Sequence, residues 1–208
     1  MSVESSEPHA ISPGPRHRAR SVLFELVETL VLTVVIFVGI QTFVAQPYKV
    51  QQRSMEDTLQ PGQYVLVDKL TPRWAPYSRG DIVVFDPPAS FAADTAGVPL
   101  IKRVIGLPGD RVDLRDGKVS VNGVQLQEPY VYRDHGIPQT TDPGNDGQTE
   151  WLVPAGSLLV MGDHRQDSTD SRTFGPVEIA HVVGRAWLRY WPIDAFGLLQ
   201  APAYAGVP

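Results

Sequence analysis

RVDLRDGKVSVNGVQLQ, Arg111–Gln127, decides the fold class. Two runs of alternating side chains, Arg111–Arg115 and Lys118–Val121, are separated by Asp116-Gly117 and followed by Asn122-Gly123. Those dipeptides accept the positive φ that tight hairpin turns demand, so the segment reads as an antiparallel meander. Just upstream, PLIKRVIGLPGD (Pro99–Asp110) holds a β-branched run, Leu100–Ile105, that closes in the turn Leu107-Pro108-Gly109-Asp110. Further β-rich runs bounded by turn residues lie at Tyr48–Gln52, Gln63–Lys69, Asp81–Phe85, Ser157–Met161 and Gly184–Trp191. None carries the 3.6-residue period of a helix. With 18 Gly and 19 Pro in 208 residues, the expected fold is mostly β, an antiparallel domain with partly closed sheets. Residues 134–149, DHGIPQTTDPGNDGQT, have no apolar pattern and read as a mobile surface loop inside an insertion spanning about 107–155.

One run breaks the pattern. VLFELVETLVLTVVIFVGIQTFVA, Val22–Ala45, is apolar except for Glu25, Glu28, Gln41 and a few Thr. As a helix it rises about 36 Å, or about 25 Å counted from Thr29, and these values bracket the roughly 30 Å of bilayer hydrocarbon. It lacks the polar stripe of a core helix. The pair Phe43 and Ala45 does not make the small-x-small pattern of a cleaved signal sequence, so the run reads as an uncleaved anchor. Arg16, Arg18 and Arg20 precede it while only Lys49 and Arg53 follow closely, which favours a cytoplasmic N-terminus and an extracytoplasmic domain. The resulting division is a disordered tail at 1–21, a transmembrane helix at 22–45, a β-rich domain at 46–193, and a C-terminal tail at 194–208 that trails off or lies on the surface.

Composition removes several functions. The chain has no cysteine, which excludes disulfide scaffolds, thiolate metal sites and a cysteine nucleophile. Its formal net charge of -5 argues against nucleic acid, whose phosphates call for a basic stripe. Asp163, Asp167 and Asp170 superficially suggest a cation. Arg165, Ser168 and Phe174, however, stand where a calcium loop requires an acid or amide, a glycine and a glutamate. No metal or cofactor is expected.

Chemistry is more legible in three segments. Ser54 lies shortly after the apolar run, in RSMEDTL, and taken alone reads as a turn residue. Lys102 and Arg103 point to opposite faces of the Leu100–Ile105 strand, so one of them is able to turn inward among apolar neighbours. An ordinary lysine, pKa near 10.4, is neutral only about once in 2,500 at pH 7; burial raises that fraction and makes the amine a base for a serine hydroxyl. The third segment is the polar, patterned run Met161–Gly175. A Ser-His-Asp triad using His135, His164 or His181 is disfavoured because no G-x-S-x-G elbow surrounds Ser54.

The blocks RSMEDTL, VLVDK, RGDIVVF, IKRVIGLPGD and GDHRQDSTDSR, in this order behind an anchor, resemble bacterial type I signal peptidases, the Ser-Lys membrane proteases that remove signal peptides from exported proteins. The resemblance runs from about residue 22 to about 191. It implies Ser54 as nucleophile, Lys102 as general base, Met55 as a substrate-pocket residue and Ser168 as the hydroxyl that orients the lysine amine. Asp163, Asp170, Arg103 and Arg172 become the charged residues that hold the last block against the lysine strand, in bidentate pairs. Self-cleaving repressors share such a dyad but carry a DNA-binding domain where this chain has its apolar run. Members often have Ser-Gly before the nucleophile, where this chain has Gln52 and Arg53, so Gln52 is a candidate second oxyanion donor. Asp57 replaces a usual Pro, and His164 replaces a usual Asn and is expected to be structural.

The resemblance implies preproteins as partners, bound as an extended strand along an exposed edge, with small side chains selected at the first and third positions before the cut. It also implies contact with the lipid bilayer, proximity to the export machinery, residence in a bacterial cell membrane, and an alkaline optimum. The alternative is a catalytically inactive, membrane-tethered β-domain that binds a partner.

Overall fold

The computed structural model describes residues 15–89, 91 and 97–207. Two compact units divide at Thr42/Phe43. The first contains helix α1 (Pro15–Phe43), and within it Val22–Phe43 is long and apolar enough to cross a membrane, with a mean hydropathy of 2.3. The helix was expected at 22–45 behind a disordered tail at 1–21. It begins at Pro15 instead, a residue whose fixed φ suits a first helical turn, while the part of the tail at 1–14 lies outside the described residues. It ends before Ala45 because Ala45 already pairs with Asp68.

The second unit is antiparallel β. Its strands are β1 (Ala45–Lys49), β2 (Tyr64–Asp68), β3 (Ile82–Phe85), β4 (Leu100–Gly106), β5 (Arg111–Arg115), β6 (Lys118–Val121) and β7 (Val124–Gln125). They continue with β8 (Arg133–Asp134), β9 (Ile137–Pro138), β10 (Glu150–Leu152), β11 (Ser157–Met161), β12 (Val177–Glu178), β13 (Val182–Trp191) and β14 (Gly197–Leu198). A single-turn helix, α2 (Ser171–Phe174), follows β11. The main sheet has the order β1-β2-β13-β3-β4-β11-β12, with β14 on β13, and curls into a half-barrel. The meander predicted from the two hairpin signals is the second sheet, β10-β5-β6-β7, and Asp116 and Asn122 take the positive φ that their turns demand.

The expected strand at Tyr48–Gln52 lies three residues earlier. Its edge position tolerates Pro47, which pairs with Leu66. The Val50 N–H then bonds Gln63 O, ending the ladder and freeing Gln51–Arg53 to line a cleft. Both Lys102 and Arg103 are buried, where a single inward residue was expected, because β4 is covered on both faces. Leu100 and Val104 face a cluster with Phe85, Leu158 and Val160, while Ile101 faces the cluster of Val50, Leu59, Val65 and Val84.

The expected tail at 194–208 belongs to this unit. Leu198 pairs with Leu188, and Tyr204 bonds the Tyr130 hydroxyl at 2.9 Å and packs with Val207 against the meander core. The loop at 134–149 is surface-exposed in most of its length but tied to the 163–172 segment. Thr141 Oγ1 accepts from Arg165, and Asp142 O accepts from Arg172.

Candidate active site

Ser54 begins a tight turn closed by Glu56 N–H to Arg53 O at 2.9 Å and Leu59 N–H to Met55 O at 2.7 Å. Within the turn Asp57 is a non-glycine residue in the left-handed region, at φ 73. It presents the Ser54 hydroxyl to the centre of β4, where Lys102 Nζ lies 2.6 Å from Ser54 Oγ and donates to Ile101 O at 3.1 Å. Lys102 is 0% exposed. Burial pushes its pKa down from 10.5 to about 8; the Asp170 and Asp163 carboxylates oppose this, and Arg172 assists it.

The charged network around the amine keeps the carboxylates occupied. Arg103 donates through Nε and Nη2 to the two oxygens of Asp163, at 2.8 and 2.7 Å, and its guanidinium stacks 4.0 Å from the Tyr130 ring centre. Thr58 Oγ1 donates to Asp163 at 2.6 Å, so the Ser54 turn hangs on the same carboxylate. Arg172 makes the matching fork on Asp170. Burial works to raise the Asp170 pKa, but Arg172, the Gly162 N–H and the Ser168 hydroxyl together hold it below the usual carboxylate value.

Two expected residues sit close to the dyad. Met55 is wholly buried and packs among Val50, Leu59, Val65 and Ile101, beneath an apolar wall. Ser168 shares the cleft with Ser54, and its hydroxyl donates to Asp170 Oδ2 at 2.8 Å, which leaves its oxygen as an acceptor, while the lysine amine donates to the Ile101 carbonyl. Gln52 lines the cleft and is exposed. The Ser54 backbone N–H makes no hydrogen bond among the described residues.

Sequence reasoning missed Thr58 and Gly162. A Cβ on Gly162 would collide with the Ser54 carbonyl oxygen and the Ser168 side chain, so glycine lets two loops meet behind Ser54. Thr58 had no local signal, since its partner is 105 positions away.

The cleft over Ser54 has a volume of about 550 Å³ and is walled by Arg53, Phe91, Leu100, Gln166, Asp167 and Ser168. Gln51 and Gln52 separate it from a second, more apolar cleft of about 600 Å³ lined by Tyr48, Val50, Val65, Val84, Val98 and Ile101. Together they make a trough suited to an extended peptide with apolar side chains on one side.

Comparison with known proteins gives consistent matches. The profile of the family described as signal peptidase, peptidase S26, matches residues 23–191. A signal peptidase I of Leptolyngbya laminosa is 36% identical over 209 residues, covering 97% of this chain and 98% of that protein. The probable signal peptidase I-2 of Synechocystis sp. is 39% identical over 179 residues, covering 86% of this chain and 78% of that protein. A solved signal peptidase I from Enterococcus faecalis V583 is 35% identical, with a TM-score of 0.39, and covers 52% of this chain and 95% of that chain.

Proposed function

The chain belongs to the signal peptidase family of S26 peptidases and is a serine endopeptidase of preproteins, and on that premise we propose that it works through a Ser54–Lys102 dyad. The observation that carries this reading is the 2.6 Å contact between the Ser54 hydroxyl and a lysine amine that water does not reach.

With Lys102 neutral, Ser54 Oγ–H donates to Nζ. As Oγ attacks the scissile carbonyl carbon the proton passes to the amine, and the developing oxyanion is met by the Ser54 N–H, with Gln52 as the candidate second donor. Collapse of the tetrahedral intermediate breaks the C–N bond, and Lys102 returns the proton to the leaving amine. Water, deprotonated by the same amine, then hydrolyses the acyl-enzyme and restores Ser54. The Arg103–Asp163 and Arg172–Asp170 forks hold the strand and the loop around this centre and limit the negative field that would recharge the lysine.

The substrate lies extended in the trough, and its shallow walls near Ser54 select small side chains before the cut. The length and apolarity of Val22–Phe43 support anchoring of the enzyme in a bacterial membrane, and the Arg16, Arg18 and Arg20 excess before it supports a cytoplasmic N-terminus with the β unit outside, near emerging preproteins. The deciding experiment is processing of a labelled preprotein by purified full-length enzyme. Ser54→Ala and Lys102→Ala should each abolish cleavage, and undiminished processing by either variant would remove that residue from the dyad.

A further inference from the structure

Beside the dyad lies a second buried pair, outside the chemistry just described. Glu56 and His164 are 8% and 7% exposed, and Glu56 Oε2 meets His164 Nδ1 at 2.9 Å. Each partner is held from a second side. Arg53, the residue before the nucleophile, donates to Glu56 through Nε at 2.9 Å and Nη2 at 3.2 Å. Tyr132, from the segment leading into β8, stacks on the His164 ring at 4.0 Å with planes 18° apart. Its own N–H bonds Asp163 O at 2.9 Å.

What links this pair to the reaction is the main chain. The His164 N–H donates to the Ser54 carbonyl oxygen at 3.0 Å, which fixes the peptide on the C-terminal side of the nucleophile. The neighbouring residue, Asp163, holds Arg103, and Arg103 adjoins Lys102 on β4. The dipeptide Asp163-His164 is therefore one brace with two arms: the Asp163 arm grips the strand that carries the base, and the His164 arm grips the turn that carries the nucleophile. The side-chain pair completes a closed circuit from Arg53 through Glu56 to His164 and back to Ser54, enclosing the turn whose hydroxyl must stay 2.6 Å from the amine. Reaction rates are sensitive to such spacing, since a displacement of about 1 Å at a reacting group costs on the order of a hundredfold.

We propose that Glu56 and His164 are positioning residues for the nucleophile, locking the Ser54 turn onto the Asp163-His164 brace. This rests on the reading of Ser54 as the nucleophile. Neither Glu56 nor His164 is among the residues that wall the cleft over Ser54. Its requirement is a donor at the His164 Nδ1 position facing an acceptor on Glu56. An asparagine at 164 places an amide N–H at the same branch point and keeps the backbone donor to Ser54, whereas a leucine keeps the backbone donor and the bulk but offers Glu56 nothing.

The test uses the full-length enzyme in detergent with a fluorogenic signal-peptide substrate, reading kcat, KM and the pH of half-maximal activity. Glu56→Ala and His164→Leu should each lower kcat about tenfold, with KM within twofold and the half-activity pH unchanged. His164→Asn should recover activity to within about threefold of the parent. Unchanged kcat in Glu56→Ala and His164→Leu would overturn the proposal. So would a loss that His164→Asn fails to recover, or a shift in the half-activity pH, which would assign the pair an electrostatic effect on Lys102. If His164→Leu does not fold, Glu56→Ala alone decides. Ser54→Ala and Lys102→Ala run alongside. Cleavage by either would sink the dyad reading itself, while inactive dyad variants beside fully active Glu56 and His164 variants would sink only the positioning role.

Discussion

Arg172 Nε donates to Asp170 Oδ1 and Nη2 to Asp170 Oδ2, both at 2.8 Å, in a fork closed between residues two positions apart. The carboxylate is 0% exposed and is the largest charge acting to raise the pKa of Lys102 against burial. Fork and base therefore pull in opposite directions: the loop is held by an anion, and the anion tends to recharge the amine. Asp170→Asn should remove that field, so the acid limb of the pH–rate profile moves to lower pH. It leaves Arg172 buried without its anion, which destabilises the fold by about 3–5 kcal/mol. A pH–rate profile and a thermal melt of the same preparation check both; an unmoved acid limb would show that the Asp170 charge does not act on the base.

On the proposed dyad, Lys102 sets the pH dependence of the parent enzyme. With a pKa of about 8, the amine is neutral in about one molecule in ten at pH 7 and about nine in ten at pH 9. The value of kcat/KM should rise across that interval with a midpoint near pH 8. An optimum near pH 5 would contradict a neutral-amine mechanism.

The same burial is a stability penalty. A lysine pKa that is lower in the folded state than the unfolded 10.5 means the unfolded chain holds more protons between about pH 8 and 10.5, so the penalty is full below pH 8 and is relieved as pH rises through that window. Lys102→Met should be inactive yet more stable than the parent at pH 7, by about 1–3 kcal/mol after the lost hydrogen bonds are counted. The advantage should shrink toward pH 10. Melting temperatures of the two proteins at pH 7 and pH 10 test this, and a variant less stable than the parent at pH 7 would contradict it.

Gly162 is the point where the loops touch. Gly162→Ala places a methyl against the backbone oxygen of Ser54, which is not free to rotate away as a side-chain end would be. The turn must shift, and activity should fall about a hundredfold while stability drops by about 1–3 kcal/mol. Cleavage assays and melts of the purified variant measure the two effects separately. Full activity would mean that the loops have slack at this contact.

Periodicity and turn chemistry made the meander legible, because Asp116-Gly117 and Asn122-Gly123 encode their turns locally. The bidentate pairs of Arg103 and Arg172 were legible through residue type within the matched blocks. What stayed hidden depends on contacts distant in sequence. The packing of Met55 beside Val65 and Ile101 joins segments that nothing local in the sequence links. Strand β1 was displaced by three residues because its partner β2, not its own composition, sets where pairing ends. The C-terminal segment shows no strong pattern, yet Tyr204 finds Tyr130 across the surface of the meander.

Asp57 marks a departure that the backbone explains. The resemblance leads one to expect Pro there, but the Asp57 φ of 73 lies in the left-handed region that proline's ring forbids. Its Oδ2 accepts the Arg133 N–H at 3.0 Å, so the side chain also ties the Ser54 turn to β8. Asp57→Gly should keep the turn: the strain relieved offsets most of the lost bond, stability should change by no more than about 1 kcal/mol, and cleavage should stay within about threefold of the parent. Asp57→Pro should force φ toward -65°, displace Ser54 from the amine, and reduce both stability, by about 3 kcal/mol or more, and activity. Cleavage rates and melts of the two variants decide. If the proline variant matches the parent in both, the Ser54 turn has a second conformation with negative φ that carries out the reaction equally well.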